Sequence, residues 1–125
     1  MVGFVGNIEE LTLNNDNFRK VLFTGPKSQL VVMSLEPGEN IGMETHPDVD
    51  QFIRIEEGEG KAILNGEESK LEDDFAVVIP AGTEHDIVNT SQRKKLKLYT
   101  VYSPPEHADG TVHKTKEEAE RSHHH

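Results

Sequence analysis

The chain has 125 residues, enough for one domain around one core, and its 23 acidic against 13 basic side chains give a net charge of -10. That balance argues against nucleic acid and against an anionic membrane as partners. There is no cysteine, which excludes disulfides, thiolate ligands and a thiol nucleophile and suits the cytoplasm. No apolar run approaches the roughly 20 residues of a spanning helix. The first residues, Met1 to Asn7, lack a basic region and a long apolar stretch, so they do not read as a secretory signal.

In chain order, short β-rich runs alternate with turn residues. Phe18 to Thr24 is the first expected strand, closed by Gly25-Pro26, and Ser28 to Leu35 is the second, closed by Pro37-Gly38. Gln51 to Glu56 alternates and stops at Gly58 and Gly60. Lys61 to Leu64 and Glu67 to Leu71 flank Asn65-Gly66, the strongest local signal, because a type I′ hairpin turn needs positive φ at both central residues. Phe75 to Ile79 is a continuous apolar run ended by Pro80-Ala81-Gly82, and His85 to Asn89 and Leu96 to Tyr102 complete the set. Evenly spaced short strands with Gly and Pro turns predict an all-β sandwich or barrel. Helix is expected only near Lys116 to Arg121, and Pro104 to Thr115 reads as an irregular tail laid across the barrel or free in solvent. Residues 121–125 look like a vector scar leading into a histidine tag.

Four polar side chains stand out against this apolar pattern. Residues two apart on a strand share a face, so Glu44 and His46 point the same way if the chain is extended there. Gln51 shares its face with Ile53 and Ile55, and His85 shares its face with Ile87 and Asn89. Buried polar groups are costly unless something satisfies them, and a divalent metal would. Two imidazoles and a carboxylate leave open positions for a ligand and suit Fe(II), Mn(II), Zn(II), Ni(II) or Co(II), with Gln51 either a fourth donor or a group that orients its neighbours. The plain alternative is a pair of hydrogen-bonded core histidines in a metal-free barrel. Asp48 and Asp50 read as a solvated loop, Arg54 as a surface ion-pair residue, Arg93 to Lys95 as a solvated turn, and His107 and His113 as exposed tail residues unless the tail folds back. One of Tyr99 and Tyr102 is a candidate to line the pocket.

The two segments resemble the paired motifs of the cupin superfamily. The first motif runs Gly, five residues, His-x-His, three or four residues, Glu, six residues, Gly. The second runs Gly, five residues, Pro-x-Gly, two residues, His, three residues, Asn. His46 and Gly58 match the first, and Pro80, Gly82, His85 and Asn89 match the second at the right spacing. Glu44 stands where the first His belongs, Gln51 where the Glu belongs, and Glu39 and Asp74 where the opening glycines belong. The ligand set that the resemblance implies therefore becomes Glu44, His46, Gln51 and His85. The resemblance covers roughly residues 30 to 103. It implies a jelly-roll barrel, or double-stranded β-helix, with the site inside, usually dimeric or larger. The expectation for this chain adds a short C-terminal tail or helix and, because exposed edge strands invite pairing, a homodimer. The whole chain is similar to small single-domain, RmlC-like cupins often labelled mannose-6-phosphate isomerase-like, a label that rests on fold. The expectation is one cupin domain over residues 1–120, with its core at about 28–103. Its expected role is that of a cytoplasmic metalloenzyme of isomerase or dioxygenase type acting on a sugar or organic acid, with catalytic residues unidentified. The alternative is a non-catalytic module binding a small ligand or sugar inside the barrel, and a purely structural or storage barrel ranks last.

Overall fold

The computed structural model describes residues 2–123. Its elements are α1 (Ile8–Leu13), β1 (Arg19–Thr24), β2 (Gln29–Leu35), β3 (Asp50–Glu57), β4 (Gly60–Leu64), β5 (Glu67–Leu71), β6 (Ala76–Ile79), β7 (His85–Asn89), β8 (Leu96–Ser103), β9 (Val112–His113) and α2 (Lys116–His123). They form a six-stranded sheet in the order β6-β3-β8-β2-β1-β9 and a three-stranded sheet in the order β5-β4-β7. Every pairing is antiparallel. This is the expected jelly roll, with a short helix at its C-terminal end.

The core lies between the inward faces of the two sheets. Val31, Met33 and Leu35 of β2, Ile53 and Ile55 of β3, and Leu98 of β8 are wholly buried at alternate positions. The hairpin turn is as predicted: Asn65 has φ 48° and Gly66 φ 85°, the pair of positive values that type I′ geometry requires. The glycines after β3 have a steric reason. At Gly58 φ is +117° and a Cβ would stand 2.9 Å from the Lys95 carbonyl oxygen, while at Gly60 a Cβ would run into the carbonyl oxygen of Val88. β4 and β7, neighbours in the small sheet, thus lie backbone against backbone at Gly60.

Two expectations need correction. A helix was expected only near the C-terminus, yet α1 forms near the N-terminus. The Asn7 side chain caps it by accepting from the Glu10 backbone N–H at 3.0 Å, and Glu9 and Glu10 place negative charge in its first turn. The chain after α1 is fastened to the outer face of the large sheet by Lys97, a buried lysine. Its ammonium donates to the Asn15 carbonyl and meets Asp16 Oδ1 at 2.9 Å. The second correction is the tail. It is neither free nor wholly irregular, because β9 adds a strand to β1, pairing Arg19 with His113 and Lys20 with Val112. The helix expected at Lys116 to Arg121 is α2, which continues through His123 and so includes part of the segment read as a tag remnant. His124 and His125 of that segment lie outside the described residues.

Candidate metal site and the adjoining cleft

The local geometry at Glu44 begins with β7. Residues 39–44 run along β7 as an extra, irregular edge of the small sheet: Ile41 donates to the Ile87 carbonyl at 3.0 Å, and Asn89 donates to that of Glu39 at 2.8 Å. Glu44 and His85 face each other across an isolated bridge and exchange both backbone hydrogen bonds at 2.9 Å. Directly opposed residues project from the same face of a sheet, so this register brings a carboxylate and an imidazole together. Asp86 holds the segment in place. It is 5% exposed and accepts from Asn40 Nδ2 at 2.7 Å and from the Gly42 backbone at 2.9 Å.

His46 is positioned by the turn before β7. The Gly82 N–H donates to the His46 carbonyl at 2.9 Å, and the Ala81 N–H donates to Asp50 Oδ1 at 2.8 Å. The Pro80-Ala81-Gly82 turn therefore clamps the 46–50 loop from outside, and Gly82, with φ 85°, makes that turn possible. Asn89 has a wholly structural task. Its amide donates to the carbonyls of Leu35, Glu36 and Lys94, tying the end of β2 to the turn before β8.

The rings of His46 and His85 lie 5.3 Å apart between centroids. His85 Nδ1 meets the Thr83 carbonyl at 2.9 Å. A carbonyl only accepts, so Nδ1 carries the proton and Nε2 presents a lone pair. His46 stands between two carboxylates, with Nε2 3.8 Å from Glu44 Oε2 and Nδ1 3.6 Å from Glu106 Oε1. Its side chain is 10% exposed and that of Glu44 32%. Two donors of one metal stand roughly 3.0 to 3.5 Å apart when each bond is about 2.1 Å. The Glu44 carboxylate is thus a few tenths of an ångström outside that range and is the most exposed of these groups. Among the described residues, no three His, Asp or Glu side chains stand in coordinating geometry.

Gln51 enters the same interior from β3, opposite Tyr102 of β8. Its Nε2 donates to Thr100 Oγ1 at 3.0 Å, while Oε1 is buried with no hydrogen-bond partner. An orphaned, inward-facing carbonyl oxygen costs free energy and is a donor atom waiting for a cation or a proton. Tyr102 packs edge-on to His46 and to His107, at 6.2 and 5.1 Å between centroids. Burial, opposed in part by Arg19, pushes its phenol up to about 12, so the hydroxyl stays protonated. Of the two tyrosines expected as candidates, Tyr102 is the one at the site.

The structure therefore brings Glu44, His46 and His85 together and places Gln51 one strand away, behind Tyr102. Arg54 is a surface ion-pair residue as expected, with Glu56 at 3.2 Å and Asp74 at 2.9 Å. His107 and His113 are not exposed tail residues. The tail folds back because Gln29, 1% exposed, grips it. Gln29 Oε1 accepts from the backbones of Glu106 and His107 at 3.2 and 2.9 Å, and Nε2 donates to the His107 carbonyl at 2.7 Å. That grip aims Glu106 at His46. Glu106 and Arg19 escaped the reading of the sequence because neither belongs to a spaced motif and β1–β9 pairing is long-range.

Beside the site opens a cleft of about 530 Å³ between the barrel mouth, the tail and α2. Its lining includes Glu44 and Glu106, Arg19 and His113, and Lys116 and Glu120 of α2.

Comparison with known proteins places these features in a lineage. The family described as "Cupin domain" matches residues 31–102. YrkC, an uncharacterized protein of Bacillus subtilis, is 48% identical over 122 residues, which is 93% of this chain, and the chain spans 65% of that relative's length. The L612 protein of Acanthamoeba polyphaga mimivirus is 47% identical over 112 residues, covering 87% of this chain and 70% of its own. The crystal structure of BH2720 from Bacillus halodurans superposes with a TM-score of 0.92 at 46% identity, covering 94% of this chain and 93% of its own. No helix among the described residues is long and apolar enough to cross a membrane.

Proposed function

The chain belongs to the cupin family, and from that premise we propose that it is a metal-binding cupin acting on a small polar molecule, a sugar or an organic acid. Glu44, His46 and His85 hold one divalent transition metal (Zn, Mn, Fe, Ni or Co), and Gln51 Oε1 is either the fourth donor or the group that orients a ligand beside it. The observation that carries this reading is the buried Gln51 oxygen without a partner, in an interior shared with two neighbouring imidazoles and a carboxylate. When bound, such a metal would supply open positions that polarise a carbonyl or enediol oxygen, as an isomerase needs, or, if redox-active, that bind dioxygen, as a dioxygenase needs.

The residues of the chain do the rest. Thr83 fixes the His85 tautomer, and Glu106 holds His46 from its Nδ1 side, the carboxylate–histidine arrangement that orients a ligating ring. Tyr102 stays protonated and so can offer its hydroxyl to a ligand without acting as a base. Ile53, Ile87 and Leu98 keep water from the inner side of the site. A second reading, a non-catalytic ligand-binding barrel, draws support from the 3.8 Å gap between Glu44 and His46. We also take residues 1–120 to be one domain working in the cytoplasm as a homodimer, a reading supported by the absence of cysteine and by the open edge strands of the large sheet.

Elemental analysis of tag-free protein, prepared without a nickel column, tests the reading. About one transition metal per chain is expected, with sharp loss in His85→Ala and His46→Ala and a retained fold. Full occupancy in both variants, or no metal after reconstitution with each candidate ion, sinks it.

A further inference from the structure

Arg19 is 7% exposed, yet among the described residues it has no carboxylate partner. Its Nε is buried without a hydrogen bond. Nη1 meets His113 Nδ1 at 3.4 Å, and the guanidinium carbon stands 5.2 Å over the Phe18 ring. The guanidinium charge also acts on the buried Tyr102 phenol, opposing the larger effect of burial. His113 is held toward its neutral form, first by burial and then by Arg19, with Glu118 opposing. The groups in contact with the cation, the Phe18 ring and the His113 imidazole, are therefore neutral and orient it without balancing it, and among the described residues the carboxylates of the cleft form no ion pair with it. A buried charge left unpaired is costly, and proteins keep one where a ligand completes it.

We infer that Arg19 is the anchor for a carboxylate of the ligand, so that the cleft takes an organic acid rather than an uncharged sugar. This rests on the proposed site and narrows its substrate class. Arg19 and Glu44 line the same cleft, and the Tyr102 ring packs edge-on to His46 beside Glu44, so a small acid anchored at Arg19 extends toward the two histidines. The planar guanidinium fork matches a planar carboxylate in a bidentate pair. One guanidinium balances one negative charge. Glu44, Glu106 and Glu120 in the same cleft, against Lys116 alone as a further cation, disfavour a doubly charged phosphate.

Calorimetric titration of acetate, lactate, malonate, glucose and inorganic phosphate into tag-free protein, metal-loaded and metal-stripped, tests the inference. At least one carboxylate should bind both forms, glucose should not, and phosphate should bind more weakly. Arg19→Met should weaken carboxylate binding by at least about tenfold. Without ligand it should melt no lower than the parent, because an apolar side chain replaces an unbalanced charge. Arg19→Lys, which keeps the charge but not the fork, should also bind less well and serves if the methionine variant does not fold. Failure of every carboxylate to bind, phosphate binding more tightly, or undiminished binding in both variants overturns the inference. Binding that disappears on metal removal but survives Arg19→Met also overturns it while leaving the metal reading intact. Binding that depends on Arg19 in a protein that takes up no metal does the reverse.

Discussion

Gln51 shows what a single side chain can disclose. The amide is held at Nε2 by Thr100, which fixes its orientation and leaves Oε1 facing the interior. If Oε1 serves the metal, Gln51→Leu should lower metal affinity by about 10- to 100-fold in a chelator competition. Stability without metal should change by no more than about 1 kcal/mol, because the orphaned oxygen leaves together with one hydrogen bond. An affinity equal to the parent's would reduce Gln51 to a strut for Thr100. Asp74 is instructive in another way. It stands where the second cupin motif opens with glycine, and its φ is 71°. The backbone conformation that favours glycine persists although the glycine does not, and Asp is among the few side chains that tolerate it. The sequence could show the substitution, but not that the backbone had stayed as it was.

At the scale of elements, the strands were legible because each carries its own signal of alternation and closing Gly or Pro. Of the site, the candidate donors Glu44, His46, Gln51 and His85 were legible because motif spacing marked them, but the bridge that faces Glu44 with His85 joins distant segments and was not. Partners brought in from the ends of the chain were not. α1 had a readable cap in Asn7 with Glu10 three residues on, but its docking depends on Lys97, distant in sequence. Hydrogen bonds and charge from Lys97 and then Lys95 hold the Asp16 carboxyl below its ordinary value of 3.8. A group depressed in the folded state contributes stability above its unfolded pKa and loses it as pH falls through the folded one. The melting temperature of Asp16→Asn should therefore lie below the parent's at neutral pH, with the gap closing below about pH 3.8. A gap that persists in acid would assign the effect to packing.

The tail is the element with most leverage. Gln29→Leu would leave the backbone N–H groups of Glu106 and His107 without their acceptor. Local opening of residues 104–113 should become easier by roughly 2 kcal/mol, read as faster amide exchange there and unchanged exchange in β2, β3 and β8. Uniform acceleration would mean that Gln29 supports the whole barrel.

For the molecule as a whole, the jelly roll has a buried core larger than its site, so losing a site histidine need not unfold it. Its large sheet ends at β6, where Val78 is 65% exposed. Val78 continues a row through Phe52 and Val101 to Leu30 on the outer face. A second copy of the chain is the occupant that the homodimer reading assigns to this face. Val78→Lys should shift sedimentation from dimer to monomer with the circular dichroism spectrum unchanged, and a monomeric parent would end that reading.

The cleft has a consequence for inheritance. Glu44, His46, Gln51 and His85 all fall within residues 31–102, the stretch that defines the family. Arg19, Glu106, His113 and Lys116 all fall outside it. The two halves of the site can therefore diverge at different rates, the barrel keeping its donors while the flanking segments exchange what they grip. On the metal-binding reading, descendants grouped by the shared stretch would be grouped by how they hold a cation. To group them by what they take in, one would compare positions 19, 106, 113 and 116.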